Sequence, residues 1–272
     1  ANPAFEAASH APVLKAILEV YGSHAHPEID GITALECGVR FGSCAWAFGP
    51  GVAEMALALT LACTRQVVTG DRKFRQGDEV YERAGWENTF EFTGRTVGFV
   101  GCGGLSRALL PLLAPFDVRI LGYDPWLGDE VLRDRGVEPG TLETIFETCD
   151  VVYILAIPTR ENRGMINREL LERLRAHCVL VLVSRAAVVD FAALTELLLA
   201  GRFRAGIDVF DVEPVPRDHP IRKADHAVLS PHRAGNCPQT RQRIGRYVVD
   251  DLEFIFSGRQ PRSMQYATVE SL

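Results

Sequence analysis

The chain of 272 residues contains no basic run, and its 29 lysines and arginines are outnumbered by 35 aspartates and glutamates, for a formal net charge of −6. A nucleic-acid partner draws on a basic face or stripe, so none is expected; an anionic ligand would need a local cation. None of the seven cysteines forms a C-x-x-C pair, and their number is odd. A chain of this length needs no disulfide staples, so free thiols in a reducing cytoplasm are expected. The longest apolar stretches, 52–63 and 151–157, read as too short to span a membrane. The opening ANPAFEAASH has neither the basic segment nor the apolar run of a secretory signal. There is no internal repeat and no low-complexity tract.

What is present is alternation. From Phe90 onward, short apolar runs at 96–100, 118–123, 151–157, 178–183, 205–210 and 227–230 read as six strands. Segments 105–113, 142–148, 168–174 and 191–200 read as helices between them, the last closed by Gly201. Pro111 marks a kink or an end in the first of these. The run 151–157 (VVYILAI) is apolar throughout, as a parallel strand covered on both faces requires. Such alternation predicts an α/β fold with a doubly wound parallel sheet. Ahead of this block, 51–68 reads as a single helix, apolar nearly all round, buried in its own domain or in a subunit interface. Residues 241–256 read as a C-terminal helix, and 211–219, with two prolines, as an irregular loop.

The strand TVGFV runs into Gly101-Cys102-Gly103-Gly104-Leu105-Ser106. A Gly-x-Gly turn lets backbone approach a pyrophosphate, and the following helix offers its free N–H groups to the phosphates. Ser106 stands where that fingerprint wants Gly or Ala and is small enough for close packing. Asp124 closes the next strand, 18 residues after Ser106. A carboxylate there accepts hydrogen bonds from the adenosine ribose and repels a 2′-phosphate. Pro125 and Trp126 follow it, with no arginine to welcome that phosphate, so NAD is favoured over NADP. Cys102 reads as a small neutral turn residue.

Three further segments fall at the carboxyl ends of successive strands, where open α/β sheets place their ligands. They are Val183-Ser184-Arg185-Ala186, the stretch from Gly206 through Asp208 and Glu213 to Pro214, and Leu229-Ser230-Pro231-His232-Arg233-Ala234-Gly235. In order and spacing these resemble the D-isomer-specific 2-hydroxyacid dehydrogenase family, with its S/A-R-G, G-A-x-D-V-F-x-x-E-P and T-P-H-x-x-G motifs. The resemblance covers nearly the whole chain, including Leu14-Lys15-x-Ile17, Val52-Ala53-Glu54 and Gly94-Arg95-Thr96-Val97-Gly98.

The resemblance implies hydride transfer between NAD(H) and the 2-position of a small 2-hydroxy or 2-oxo acid. His232 would be the general acid/base, with Glu213 holding its tautomer. Arg185 would bind the substrate carboxylate and polarise the carbonyl. Asp208 would meet the nicotinamide side of the cofactor, and Thr159 and the backbone at Ser184 would line its cleft. The chemistry makes the same demands: hydride transfer creates an alkoxide that needs a proton donor, and a 2-oxo acid brings a carboxylate that needs a cation. No metal is implied. Because the family contains transcriptional corepressors that keep this constellation, the alternative is a non-catalytic NAD(H)-binding sensor.

The sequence also departs from the family. Ala186 replaces a Gly, Leu182 stands where Asn is common, and Leu155 with the shifted Ile157-Pro158 replaces H-x-P. These changes are expected to reshape the nicotinamide pocket. The loop Gly22-Ser23-His24-Ala25-His26 replaces a Gly-rich turn whose backbone binds the substrate carboxylate, a role that passes to Gly22 and Ser23. Two histidines at i and i+2 do not make a metal site. The cofactor domain is expected over 48–236, and 1–47 with 237–272 should form a flavodoxin-like substrate domain. Roughly two βαβ units, about 60 residues, of that domain are expected ahead of Pro12 and not seen. The family usually dimerises through the cofactor domain, so a homodimer is expected.

Overall fold

In the computed structural model, which describes residues 14–22, 31–81, 89–159 and 161–268, the chain forms two compact units, Val52–Ala234 and Ala1–Gly51 with Gly235–Leu272. Its strands are β1 (Ala16–Glu19), β2 (Arg40–Ser43), β3 (Thr96–Val100), β4 (Arg119–Tyr123), β5 (Glu138–Pro139), β6 (Val151–Ile154), β7 (Val179–Leu182), β8 (Arg204–Ile207), β9 (Ala227–Leu229) and β10 (Gln265–Tyr266). In the larger unit seven of them make one sheet in the order β5-β4-β3-β6-β7-β8-β9, every pair parallel. The order reverses between β3 and β6, the switch point at which an open sheet of this kind takes a dinucleotide. This is the doubly wound Rossmann-like sheet that the alternation predicts.

The central strands are apolar on both faces because both are covered. Every residue of β6, β7 and β8 is buried. The core joins Val152, Ile154, Leu180, Leu182 and Ile207 of the sheet to Ile145, Phe146, Leu171, Leu194 and Leu198 of the helices Leu142–Thr148, Arg168–Glu172 and Phe191–Leu199. Each such side chain contributes about 1.5–3 kcal/mol on burial. Local chemistry sets where these helices begin. Thr141, Asn167 and Asp190 each accept the N–H of the residue three positions on, satisfying a donor that the first turn leaves free.

Several expectations need correction. The strand expected over 151–157 ends at Ile154, because Leu155 and Ala156 pass directly over the backbone of Gly101. The sheet holds seven strands rather than six. β5 is two residues long and includes a proline, a pattern confined to edges and without an apolar run to announce it. The helix expected over 51–68 is two helices, Ala45–Thr64 and Val67–Gln76. It begins earlier because the Ser43 hydroxyl accepts the Ala45 N–H. It stops at Thr64, whose carbonyl accepts from Phe90 N–H, and Gln66 turns left-handed at φ 50°.

At 20 residues the helix Ala45–Thr64 is, contrary to expectation, long and apolar enough to cross a membrane by length and composition. Half of it is buried inside the protein. The Thr60 hydroxyl meets the Tyr153 hydroxyl of β6 at 2.6 Å, and Leu59 packs so tightly on Gly206 of β8 that a Cβ there would lie 2.7 Å from it. It is a core helix.

In the smaller unit β1 runs parallel to β2, with the helix Gly31–Glu36 between them in sequence, and β10 pairs antiparallel to the other edge of β2. The helix Pro238–Phe256 belongs to the same unit. Its Asp251 is fully buried and accepts the N–H groups of Arg262, Ser263 and Met264 and the Tyr266 hydroxyl. Burial by itself would raise the pKa of this carboxyl, but the four donors outweigh burial and hold it below the ordinary value of 3.8.

Candidate active site

The glycine turn leaves β3 at the switch point. Gly101 has φ 93°, and a Cβ on it would lie 2.6 Å from the Ala156 nitrogen, so only glycine fits. At Gly103 the reverse holds: a Cβ would meet nothing within 4 Å, which leaves open space over the turn. Gly103 caps the helix Gly104–Leu113, whose start has no side-chain cap. The N–H groups at Gly104, Leu105 and Ser106 therefore belong to a first turn open to an anion. The Ser106 side chain itself is buried and donates to the Gly103 carbonyl at 2.9 Å, so it braces the turn from within. Pro111 lies inside this helix, which passes into a 3-10 turn at Ala114–Phe116.

Asp124, at the end of β4, reaches back to this turn. One of its oxygens, Oδ2, accepts the Cys102 N–H at 2.8 Å; the other, Oδ1, accepts Trp126 N–H at 3.0 Å and Leu127 N–H at 3.2 Å. A carboxylate offers about four lone-pair sites, so Oδ2 keeps one for a ribose hydroxyl. The Cys102 thiol is pushed up to about 12, first by burial and then by the Asp124 charge, with Arg135 opposing. It is a neutral filler, as the turn suggests.

At the other end of the sheet, His232 and Glu213 meet, with Nδ1 and Oε2 2.6 Å apart. The second Glu213 oxygen accepts the Phe210 N–H, so the carboxylate is itself held by the loop that follows β8. His232 has φ 51°, a left-handed conformation uncommon outside glycine. Asp208 supports it. This side chain is fully buried; Oδ1 accepts from the Ser230 hydroxyl at 2.5 Å and Arg233 N–H at 2.9 Å, and Oδ2 from Ala234 N–H at 3.0 Å. Its carbonyl also accepts the His232 N–H at 2.8 Å. Asp208 thus binds both sides of His232, a task that the family resemblance did not indicate.

Arg185 follows β7 and is half-buried. Desolvation lowers its pKa below the ordinary arginine range, and the nearby Glu213 carboxylate opposes that shift. Nη1 donates to the Ser184 carbonyl at 2.8 Å, leaving the rest of the guanidinium fork for a ligand. Ser184 is buried, and its hydroxyl has no partner among the described residues. A buried unpaired hydroxyl is rare without a ligand group to complete it.

Thr159 lies in the loop after β6. Its N–H donates to Asn162 Oδ1 at 2.7 Å, its hydroxyl accepts the Asn162 N–H at 3.3 Å, and Asn162 Nδ2 ties back to the Ile157 carbonyl at 2.8 Å. The buried Asn162 is thus the peg of this loop; the T-x-x-N spacing was the signal for it. The departures at Leu155, Leu182 and Ala186 are all buried apolar positions, whereas Ile157 is exposed. Gly22 belongs to the smaller unit, just beyond β1, and Ser23, His24 and His26 lie outside the described residues. Arg135 was also missed: it follows a short helix, Asp129–Asp134, that has no apolar period to reveal it. Its Nη1 donates to the Cys102 carbonyl at 2.7 Å.

These features fit a dinucleotide. An uncapped first turn, the open space over Gly103 and a carboxylate with one free lone pair lie at the sheet's switch point. The unpaired Ser184 hydroxyl and the His232–Glu213 pair follow along the same strand ends.

The sequence profile of the D-isomer specific 2-hydroxyacid dehydrogenase NAD binding domain matches residues 57–234. A glyoxylate reductase of Korarchaeum cryptofilum is 35% identical over 225 residues, 79% of this chain and 67% of that protein. A glyoxylate reductase of Thermofilum pendens is 34% identical over 221 residues, 78% of this chain and 64% of its own length. The chain thus spans about two thirds of these curated relatives. The crystal structure of a phosphoglycerate oxidoreductase from Rhizobium etli superposes with a TM-score of 0.87 at 30% identity, covering 98% of this chain and 81% of that one. By the profile match and these relatives together, the chain belongs to the D-isomer-specific 2-hydroxyacid dehydrogenase family of NAD-linked oxidoreductases.

Proposed function

We propose that the chain reduces a small 2-oxo acid to the 2-hydroxy acid with NADH, and runs the reverse with NAD. The observation that carries this reading is the 2.6 Å pairing of His232 Nδ1 with Glu213, beside a half-buried Arg185. When bound, the nicotinamide supplies or accepts the hydride. Glu213 accepts the Nδ1 proton and fixes the tautomer, which leaves Nε2 as the atom that gives a proton to the carbonyl oxygen and recovers it in oxidation. Arg185 binds the substrate carboxylate through its free donors. Gly101, Gly103, Gly104, Leu105 and Ser106 cradle the pyrophosphate through backbone, Asp124 takes one adenosine ribose hydroxyl, and Thr159 and Ser184 line the nicotinamide side. Asp208 acts as a positioning residue for His232.

The glyoxylate reductases among the relatives make glyoxylate the first acid to assay. NADH oxidation against glyoxylate, hydroxypyruvate and larger 2-oxo acids tests the reading. Turnover of at least one is expected; NADH binding without turnover of any would favour the sensor alternative.

We further assign 48–236 to the cofactor domain and 1–47 with 237–272 to a substrate domain. The helix Val67–Gln76 buries none of its residues and exposes Val67, Val68 and Phe74, which supports a homodimer through the cofactor domain. A monomer in sedimentation would refute that. All seven cysteines are free and five are buried, which supports a cytoplasmic protein.

A further inference from the structure

Asp124 should exclude a 2′-phosphate, and in sequence no arginine follows it closely. The fold brings one from eleven positions on. Arg135 caps the helix Asp129–Asp134 beside the edge strand β5, and the pairing of β5 with β4 carries it to the glycine turn. Its Nη1 donates to the Cys102 carbonyl at 2.7 Å, while the N–H of that same residue donates to Asp124 Oδ2 at 2.8 Å. Two hydrogen bonds and the span of a single residue therefore separate the guanidinium from the carboxylate, a distance of at most about 9 Å. That is comparable to the Debye length of about 8 Å at physiological salt. The remaining donors of Arg135, Nε and Nη2, have no partner among the described residues. Three of the roughly four lone-pair sites of Asp124 are already taken by backbone N–H groups.

We propose that Arg135 is a cofactor-specificity residue, which offsets the Asp124 charge at the adenosine ribose and offers donors to a 2′-phosphate, so that the chain binds NADPH as well as NADH. An arginine near the ribose is the general means by which this fold accommodates that phosphate, and a planar fork suits it geometrically. The proposal rests on the reading of residues 101–106 as the dinucleotide turn.

The test is calorimetric titration of the full chain with NADH and with NADPH, in the wild type, Arg135→Ala and Arg135→Lys. Wild type should bind both, and the ratio of the NADPH to the NADH dissociation constant should rise at least tenfold in Arg135→Ala. Arg135→Lys should raise it less, because the charge is kept. An unchanged ratio, including an equal loss of both cofactors, would reduce Arg135 to a clamp on the loop and overturn the proposal. A wild type that binds NADH but not NADPH would also overturn it and leave the dinucleotide reading standing. A wild type that binds neither would overturn both.

Discussion

Two carboxylates organise the two ends of this sheet, and they differ in one respect. Asp208 accepts three donors from the one loop after β9, and Asp124 three from the loops that follow β3 and β4. Asp208 is fully buried, and its partners belong to the segment that carries His232. Asp124 is only half-buried and keeps a lone pair on Oδ2. The same chemistry therefore gives two outcomes. Where burial is complete the carboxylate's contacts go to shaping a loop; where one oxygen stays accessible it shapes a loop and keeps a lone pair open.

The comparison can be broken by removing what each carboxylate serves. His232→Ala takes away the proton carrier that we propose, and kcat should fall by about 10²–10⁴, the usual worth of general acid–base catalysis. Steady-state kinetics at saturating NADH would show it; unchanged turnover removes His232 from its role. Asp208→Ala leaves the Ser230 hydroxyl and two N–H groups without their acceptor, so the cost should be about 3 kcal/mol of stability. Denaturant unfolding measures this, and kcat should fall with it while Asp124-dependent NADH binding persists. Loss of NADH affinity without loss of kcat would reverse the assignment of the two residues.

Asp124→Ala should have a smaller effect, weakening NADH binding about tenfold through the lost ribose hydrogen bond and the loosened turn. It should favour NADPH relative to NADH, since the repelling charge is gone. Fluorescence titration with both cofactors decides it; equal affinities before and after would mean that Oδ2 reads nothing.

The smallest effect concerns a third carboxylate, in the other unit. Asp251 has its pKa held below 3.8 in the folded state. Its contribution to stability is therefore present above that value and is lost as pH falls through the folded pKa. Melting temperature followed below pH 3.8 should fall less steeply in Asp251→Asn than in the wild type. Parallel curves would show that this carboxyl does not drive the acid limb.

Much of this arrangement was legible in sequence. The glycine turn after TVGFV, Asp124 at the next strand's end and the motifs around Arg185, Glu213 and His232 are local patterns, each complete within a dozen residues. The helix Leu142–Thr148 and the strand Thr96–Val100 fall where their apolar spacing puts them. Less legible were elements with little apolar content: β5, the helix Asp129–Asp134, and the break at Gln66, where propensity favoured continuation. The hold of Asp208 on the His232 segment was not legible, because its partners lie 22–26 residues away.

By itself, then, the sequence determined the strand–helix alternation, the parallel sheet and the kinds of residue at its carboxyl ends. Hydrophobic period, turn chemistry and cap residues act over a few positions, so they are written locally. Only the tertiary structure decided which backbone groups each carboxylate holds and that Arg135, 33 residues beyond Cys102, completes the turn. Those contacts arise because parallel pairing brings the ends of distant strands to one edge, and a hydrogen bond between them depends on distance in space rather than along the chain.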